Sequence, residues 1–382
     1  MVRKGLMSKP AKLNMDLAQA LESTYPELAA IRERAGSETV YLVGGAVRDL
    51  LLGRGRADLD LVVEHDAAGL AARLGSDVVE HDRFATAKVN LDGHEIDIAT
   101  ARTETYAAPG ALPDVRPAGL LDDLARRDFT INAMAIPLVG EPRLIDPHGG
   151  RDDLAAGLLR VLHPDSFVDD PTRALRGARY AARFGFEPAP VTAELIKAVE
   201  LGAVSESRRE TELMRLAAEP EAARALALAA EWGLFTTQPG GIELASSVDS
   251  LLNAAPWNGF ADRAQALLTA ALGPSGAERR LAEADPRSPS EAVGLARDRP
   301  PLELVLARAQ GASWLDRYVA EWRLVELEID GDDLIAAGIS QGPNLGRGLR
   351  AALDRKLDGE IDGRDQELSA ALAAARGSDG VA

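Results

Sequence analysis

Segments with the apolar patterning of β-strands are confined to the first 150 residues of this 382-residue chain. Beyond about residue 151, apolar side chains recur only at helical spacing. A set of strands followed by a set of helices is typical of an α+β chain. We therefore predict a mixed α/β module at the N-terminus and an all-α remainder. The predicted strands are 39–43, 59–63, 86–91, 95–100 and the second part of 128–138.

Helical patterns and breaks predict the remaining boundaries. The apolar residues of 15–35 have helical spacing, and 171–186 is predicted to be a helix because a proline suits its first turn. The Pro- and Gly-rich segment 107–119 is predicted to be a loop. The segment 283–301 contains prolines and arginines and is predicted to be a connection.

The composition excludes several classes of protein. Without cysteine the chain has no disulfide and no zinc–thiolate site, which fits a reducing cytoplasm. No apolar run is long enough to cross a membrane. A net charge of −17 argues against a protein that wraps nucleic acid, although an acidic protein can hold one basic groove. The clustered arginines are Arg173, Arg176, Arg179, Arg183, Arg208 and Arg209.

Two aspartates, Asp58 and Asp60, stand one residue apart at the start of the predicted strand 59–63. Side chains two residues apart on a strand share one face, so the two carboxylates lie side by side. Two such anions repel each other unless a cation lies between them, and Mg²⁺ takes carboxylates together with substrate phosphates. The alternative is a solvated strand end that Arg54 or Arg56 neutralises.

A pair of glycines, Gly44 and Gly45, separates the first predicted strand from a helix. A backbone without Cβ atoms can approach a phosphate closely, and the N–H groups at the start of a helix favour anions. Arg48 lies one turn into that helix and can reach the same anion. The alternative is an ordinary tight turn.

A third carboxylate, Asp97, alternates with Ile96 and Ile98 on the predicted strand 95–100. This acid lies either on a solvated face or in a site. Three convergent carboxylates are what a two-metal phosphoryl or nucleotidyl transfer needs, because one metal activates the attacking hydroxyl and the other holds the triphosphate.

Five segments, in order, resemble the successive motifs of the class II tRNA nucleotidyltransferases, the family of the CCA-adding enzymes and the related bacterial poly(A) polymerases. The resemblance covers about residues 38–220, and a weaker one covers 329–361. Five ordered motifs at family-like spacing are far more specific than any one of them. The segments are VGGAVRDLLLGRGRADLDL, EIDIATARTETY, DLARRDFTINAMAI, IDPHGGRDDL and FVDDPTRALRGARYAARFGF.

The resemblance implies a DNA-polymerase-β-like nucleotidyltransferase head with a mixed sheet, followed by an all-α neck, body and tail. The flexible N-terminal arm would be 1–14 and the catalytic head 15–150. The neck, 151–220, would carry the element that reads the nucleobase. The helical body and tail, 221–382, would bind tRNA.

The resemblance also assigns roles to single residues. Asp58 and Asp60 would hold two Mg²⁺ ions, and Asp97 would be the third catalytic acid. Arg48 would contact the triphosphate, as would the two glycines before it. A carboxylate of the neck would accept from the exocyclic amine of cytosine or adenine, and an arginine would donate to the adjacent ring nitrogen, so that uracil is rejected. The residues assigned to the nucleotide are Gly44, Gly45, Arg48, Arg176 and Arg179 for the phosphates, Arg127, Asp128 and Asn132 for the ribose, and Asp170 and Arg173 for the nucleobase.

The activity implied by the resemblance is template-independent addition of CMP, AMP or both to the 3′ end of tRNA. CTP and ATP would be the substrates, Mg²⁺ the cofactor and pyrophosphate the leaving product. The acceptor stem of tRNA would be the partner, with no membrane and no partner protein required.

Departures from the family pattern leave the product open between CC, A and the full CCA end. Asp169 stands where the family has glutamate. The segment 204–213 keeps the family's Arg208 and Glu212 but not the residues beside them. The loop 107–119 lacks the usual acidic and arginine pattern.

Two other functions stay open. A bacterial poly(A) polymerase shares the motifs, but such enzymes carry a basic tail, and the tail of this chain is acidic. The segment HDRFATAKV at 81–89 is also closer to the tRNA enzymes. The second alternative is an RNA-binding module without catalysis, against which the intact aspartates and arginines of the motifs argue.

Overall fold

The computed structural model describes residues 16–36, 38–75, 78–81, 86–273 and 276–377. The N-terminal arm predicted at 1–14 lies outside them. The chain forms two compact units, residues 1–235 and residues 236–382, which we call the first and the second unit. The finer division into head, neck and body, with boundaries at 150 and 220, stays a prediction.

The first unit is built around a mixed β-sheet. Its strands before residue 140 are β1 (Val40–Val43), β2 (Leu59–Val63), β3 (Val78–His81), β4 (Thr86–Leu91), β5 (His94–Thr100), β6 (Arg102–Thr105), β7 (Asp114–Pro117) and β8 (Ala135–Pro137). Six of these form one sheet with the order β3-β4-β5-β2-β1-β8. β2 and β5 are parallel, and the other neighbours are antiparallel. The predicted mixed sheet is therefore confirmed.

The strand β2 lies inside this sheet and is buried on both faces. Leu59, Leu61, Val62 and Val63 are all buried, so Asp60 is the one polar side chain of an otherwise apolar strand. Asp58 lies one residue before the strand begins and is exposed.

The segment 107–119 is not entirely a loop. β7 lies within it and pairs antiparallel with β6, with Thr105 opposite Asp114 and Arg102 opposite Pro117. The prediction is wrong here because the prolines and glycine are local turn signals, whereas the pairing partner of β7 lies outside the segment. A proline at the end of an edge strand is tolerated because no ladder hydrogen bond is lost there.

Helices flank and precede the sheet. They are α1 (Leu17–Thr24), α2 (Leu28–Arg34), α3 (Gly45–Leu51), α4 (Ala67–Leu74) and α5 (Leu120–Ala125), with a 3₁₀ helix at Thr130–Asn132. The helical spacing of 15–35 is split between α1 and α2. Pro26 lacks a backbone donor and disfavours helical φ and ψ at Tyr25, whose φ of −132° and ψ of 74° end α1.

Helices dominate the first unit after residue 150. They are α6 (Gly150–Ala156), α7 (Ser166–Asp169), α8 (Thr172–Phe184), α9 (Pro190–Ile196), α10 (Glu206–Ala217) and α11 (Ala222–Glu231), with a 3₁₀ helix at Leu201–Ala203. α8 matches the predicted helix and packs against α10 and α11. The expectation that strands stop near residue 151 is wrong at one place, where Leu158–Leu159 (β9) and Glu187–Pro188 (β10) pair in parallel. Two-residue strands are too short for a periodic pattern.

The described part of the second unit is helical. Its helices are α12 (Gly241–Leu252), α13 (Arg263–Leu272), α14 (Ala277–Ala282), α15 (Pro289–Ala296), α16 (Pro301–Ala309), α17 (Leu315–Ala320), α18 (Gly331–Ala336), α19 (Pro343–Leu357) and α20 (Arg364–Arg376), with a 3₁₀ helix at Trp322–Leu324. The segment 283–301 is not only a connection, because α15 lies within it. Ser288 caps this helix by accepting the backbone N–H of Glu291, and a proline occupies its first turn. Within the described ranges no helix is long and apolar enough to cross a membrane.

Candidate active site

A polar cleft of about 370 Å³ opens in the first unit. Asp60 lines this cleft, whereas Asp58 and Asp97 are not part of its lining. All the residues predicted to bind the nucleotide line it, namely Gly44, Gly45, Arg48, Arg127, Asp128, Asn132, Asp170, Arg173, Arg176 and Arg179. The lining residues that the sequence prediction missed are Glu104, Tyr106, Arg126, Tyr180 and Arg183.

The carboxylates converge through the pairing of two strands. β2 and β5 run parallel with Asp60 directly opposite Asp97. Burial and then the repulsion of Asp97 and Asp58 raise the pKa of Asp60 to about 6, although the guanidinium of Arg127 opposes this shift. The negative charge at Asp60 is therefore incompletely compensated by the protein, which is the condition that favours a bound cation.

Asp97 has a cation of its own on the neighbouring strand. Lys88 on β4 stands opposite Asp97, and its Nζ lies 3.2 Å from the Asp97 carboxylate. Within the described residues no group of three or more His, Cys, Asp or Glu side chains could hold a metal ion. The predicted acids therefore do not form a closed metal cage. They resemble the sparse sites at which Mg²⁺ is held by one or two carboxylates and completed by substrate phosphates.

The turn between β1 and α3 places the backbone against the acidic residues. Gly44 has a φ of +65°, and a Cβ atom there would come within 2.8 Å of Nη1 of Arg127. Only glycine therefore fits without strain or displacement. Arg48 is buried on α3, where it donates to Oδ1 of Asn132 at 2.7 Å and lies 4.6 Å from the ring centre of Phe184.

We expect Gly44→Ala to lower the free energy of unfolding more than Gly53→Ala does. Both glycines have left-handed φ, but a Cβ atom at Gly53 meets open space. Only the first variant would also push the guanidinium of Arg127 away from Asp123, to which it donates at 2.9 Å. The extra loss should be about 1–3 kcal/mol, the cost of disrupting a charged hydrogen bond, and denaturant titration measures it. Equal losses in the two variants would contradict the tight fit at Gly44.

The segment that includes Arg127, Asp128 and Asn132 forms a rigid network at the floor of the cleft. Asp128 accepts from the side-chain amide of Asn132 at 2.9 Å and from Nε of Arg176 at 2.8 Å. Burial opposes the charge of this carboxylate, but Arg176 and then Asn132 outweigh it and lower the pKa of Asp128 to about 2. The carboxylate is therefore ionised at neutral pH.

The start of α8 presents a carboxylate and an arginine to the same cleft. Arg173 is buried and donates to Oγ of Ser166 at 2.8 Å and to the backbone oxygen of Arg126 at 2.7 Å. Asp170 accepts from the backbone N–H and the hydroxyl of Thr172, at 3.1 and 2.7 Å. Both side chains are thus held in place by neighbouring groups.

The later arginines of α8 are fixed by acidic residues. Arg179 and Arg183 both donate to the buried Glu219, at 2.9 and 2.7 Å. Arg179 also lies 3.6 Å from the Glu212 carboxylate, so each of the two guanidinium groups is paired with an acid and held in place. Charge-assisted donors of this kind suit phosphate oxygens.

The missed residues include a second network at the end of β6. Glu104 accepts from Nη1 of Arg126 at 2.7 Å and from the hydroxyl of Tyr106 at 2.8 Å. Burial, and then the charge of Glu104, raises the pKa of Tyr106 above its ordinary value, so the hydroxyl remains a donor. The polar alternation of Arg102, Glu104 and Tyr106 was the available signal, because residues two apart on a strand share a face.

The sequence matches a family model described as the Poly A polymerase head domain over residues 40–160. A CC-adding tRNA nucleotidyltransferase of Deinococcus radiodurans is 37% identical over 335 residues, covering 84% of this chain and 85% of that protein. An A-adding tRNA nucleotidyltransferase of Halalkalibacterium halodurans is 49% identical over 168 residues, which are 42% of this chain. The chain spans 39% of that relative and 21% of an A-adding relative from Aquifex aeolicus.

Solved structures of CCA-adding enzymes share the fold. One in an apo form aligns with a TM-score of 0.78 and 30% identity over 94% of this chain and 99% of that chain. The Thermotoga maritima CCA-adding enzyme complexed with tRNA aligns with a TM-score of 0.73 and 28% identity over 94% of this chain. Because the likeness to the Deinococcus protein extends over most of both sequences, this chain belongs to the tRNA nucleotidyltransferase family.

Proposed function

We propose that this chain adds CMP, AMP or both to the 3′ end of tRNA, with CTP and ATP as substrates and pyrophosphate as the leaving product. The observation that carries the proposal is one cleft whose lining contains Asp60 and every residue expected to bind a nucleotide. Nucleotidyl transfer requires side chains that contact the phosphates, the sugar and the nucleobase, and carboxylates that can hold a metal ion.

The carboxylates of Asp58, Asp60 and Asp97 fit Mg²⁺ as ligands. We assign Asp58 and Asp60 to the metal ions and Asp97 to the third acid, because Asp60 lies in the cleft directly opposite Asp97 and two residues after Asp58. Bound Mg²⁺ would help deprotonate the 3′ hydroxyl of the RNA and would neutralise the charge that develops on pyrophosphate.

The protein's own residues would bind and orient the nucleotide. Arg176 and Arg179 would hold the triphosphate together with the buried Arg48. Asp128 is kept ionised and would accept a ribose hydroxyl, while its bond to Asn132 fixes its orientation. The reacting groups would thereby be brought into line, which is the main contribution of a protein to transfers of this type.

Asp170 and Arg173 would read the nucleobase. The carboxylate accepts from an exocyclic amine, which cytosine and adenine both have, and the guanidinium donates to the adjacent ring nitrogen. Uracil presents a carbonyl and an N–H at these positions, so UTP would be rejected.

The product and the RNA specificity are tested together by comparing two RNAs. Transcripts of one tRNA that end at the discriminator base or at CC, and an unrelated RNA of equal length, are incubated with CTP, ATP and Mg²⁺. The proposal predicts a short, defined extension of the tRNA alone. Long A-tails on both RNAs would favour a poly(A) polymerase instead, and no extension of either would refute the proposal.

We further propose that the second unit contributes to tRNA binding. Three arginines, Arg297, Arg299 and Arg323, line a cavity of about 370 Å³ whose described lining contains no carboxylate. Arg323 lies 5.0 Å from the ring centre of Phe260 and donates through Nε to a backbone oxygen, which leaves its outer nitrogens for an anion. Arg299 donates to Oε1 of Glu303 at 2.8 Å, whereas no ion pair of Arg297 or Arg323 is found among the described residues. Arginines without a paired acid are available for phosphate contacts.

Replacing both Arg297 and Arg323 by alanine should weaken tRNA binding about 10-fold at low salt. The slope of log affinity against log salt should fall by roughly 1–2, because each lost phosphate contact releases about one counterion fewer. Fluorescence anisotropy with labelled tRNA measures both quantities. The control is Arg317→Ala, since Arg317 is already paired with Glu321 at 3.1 Å. An unchanged slope in the double variant would exclude this cavity as a phosphate site.

A further inference from the structure

The two carboxylate oxygens of Asp170 have different surroundings. Oδ1 accepts three hydrogen bonds, from the backbone N–H of Thr172 at 3.1 Å, from the hydroxyl of Thr172 at 2.7 Å and from Nη2 of Arg208 at 3.1 Å. No group in the described part of the chain donates to Oδ2. Because Asp170 lines the cleft, Oδ2 is the acceptor that remains for a ligand.

The partner of this carboxylate, Arg208, is itself held from a second side. It lies in the first turn of α10, and its Nη1 donates to the backbone oxygen of Gly110 at 2.8 Å. That backbone is fixed, because the N–H of Gly110 donates to the oxygen of Val168 and a Cβ atom at Gly110 would lie 2.7 Å from the oxygen of Ala203. Two nitrogens of one planar guanidinium thus bind two fixed acceptors.

We propose that Arg208 is a positioning residue that sets nucleobase selectivity by fixing the orientation of the Asp170 carboxylate. The inference rests on the proposed function. The Cβ–Cγ torsion of aspartate is broad, so the bonds from Thr172 alone do not prevent the two oxygens from turning relative to the cleft. With Arg208 in place, Oδ1 is saturated and only Oδ2 faces an incoming base.

A single acceptor in a fixed position distinguishes a base that carries an amine from a base that carries a carbonyl. The amine of cytosine or adenine donates to Oδ2. The carbonyl of uracil is itself an acceptor, so neither it nor Oδ2 gains a hydrogen bond. A carboxylate free to turn would discriminate less, because it could move away from the carbonyl. Lysine cannot replace Arg208, since one ammonium group cannot reach both acceptors in the geometry of a planar fork.

The test measures kcat/KM for the nucleotide that the unaltered protein adds and for UTP. That nucleotide is CTP on a tRNA transcript that ends at the discriminator base or ATP on one that ends at CC. Arg208→Gln is expected to lower the ratio of the two values about 10-fold, within the range of one lost base contact. Arg208→Lys is expected to restore little of it, which distinguishes geometry from charge. Arg209→Gln is the matched control, because Arg209 follows on the same helix and no hydrogen bond of its side chain is found among the described residues. It should keep the ratio of the unaltered protein.

A loss of stability lowers both kcat/KM values together and leaves their ratio unchanged, so the ratio reports positioning.

A double-mutant cycle adds a second readout. In an Asp170→Ala background, Arg208→Gln should cause no further loss of selectivity, since the two residues act as one unit. An unchanged ratio in Arg208→Gln, or full additivity in the cycle, would overturn the inference while nucleotide addition by the unaltered protein persists. If the unaltered protein adds no nucleotide, the proposed function itself fails.

Discussion

Replacing Asp60 by asparagine is expected to reduce nucleotide addition by at least about 1,000-fold, the effect of removing roughly 4 kcal/mol of transition-state stabilisation. Asparagine keeps the size of the side chain but not its charge. Asp60 is the only predicted acid that lies both in the cleft and directly opposite another acid, Asp97. Incorporation of labelled CMP and AMP into a tRNA transcript, followed in single turnover, measures the loss.

The same substitution is expected to stabilise the protein in EDTA at pH 7.5. The pKa of Asp60 is about 6 in the folded chain against 3.8 for the ordinary group. Between these values the folded state holds a proton that the unfolded state has released, so stability falls as the pH rises through this window. Above pH 6 the partly buried charge of Asp60 destabilises the fold by a constant amount. Asp60→Asn removes that cost, and Tm should rise by roughly 2–4 °C, the effect of about 1 kcal/mol in a domain of this size.

The gain in Tm should disappear below about pH 4, where Asp60 is protonated in both states. Asp92→Asn is the matched control, since Asp92 lies exposed in the turn between β4 and β5 and its φ of +53° suits asparagine. This control should keep both activity and Tm. Retention of a tenth of the activity by Asp60→Asn would contradict the assignment of Asp60 to a metal. A loss of stability at pH 7.5 would contradict the raised pKa of Asp60.

Asp170→Ala is expected to lower the preference for CTP over UTP about 10–100-fold, because a base contact of this type contributes about 1–3 kcal/mol of discrimination. The variant removes the acceptor that distinguishes an amine from a carbonyl but leaves Arg173 bonded to Ser166 and to the backbone of Arg126. Binding of the triphosphate should change less than selectivity. Steady-state kinetics with CTP, ATP and UTP separates the two effects.

Asp165→Ala serves as the control for this second substitution. Asp165 is an exposed carboxylate at the start of α7 whose side chain does not cap the helix and which is not part of the cleft lining. It should leave selectivity unchanged. If UTP is still rejected by Asp170→Ala as strongly as by the unaltered protein, the carboxylate does not read the base.

Much of the cleft was predictable because local patterns place its residues. Gly44 marks a turn that excludes a Cβ atom, and Asp60 interrupts a strand that is otherwise apolar. On β5, Asp97 lies between Ile96 and Ile98, and this alternation of apolar and polar residues predicts that Asp97 points away from the face of the two isoleucines. These signals depend on residues a few positions apart, which is the range over which sequence patterns are informative.

The remaining features depend on contacts between distant parts of the chain. Asp60 and Asp97 stand opposite each other because β2 and β5 pair in parallel. These two strands are neighbours in the sheet, but β3 and β4 lie between them along the chain. Glu219 accepts from Arg179 and Arg183 of α8 and lies beyond the end of α10, and no local pattern indicates this pairing. The asymmetry of the Asp170 carboxylate likewise depends on Arg208, a residue 38 positions away. Only the folded chain reveals such partners.

The most direct test of the account uses the unaltered protein and three tRNA transcripts, ending at the discriminator base, at C and at CC. Each is incubated with Mg²⁺ and with CTP, ATP, UTP or CTP and ATP together, and the 3′ ends are sequenced. The account predicts that at least one transcript gains only the residues that complete a CCA end, with no uridine. Which transcript is extended identifies a CC-adding, an A-adding or a complete enzyme. Failure to extend any of the three, or incorporation of uridine as readily as cytidine, would contradict it.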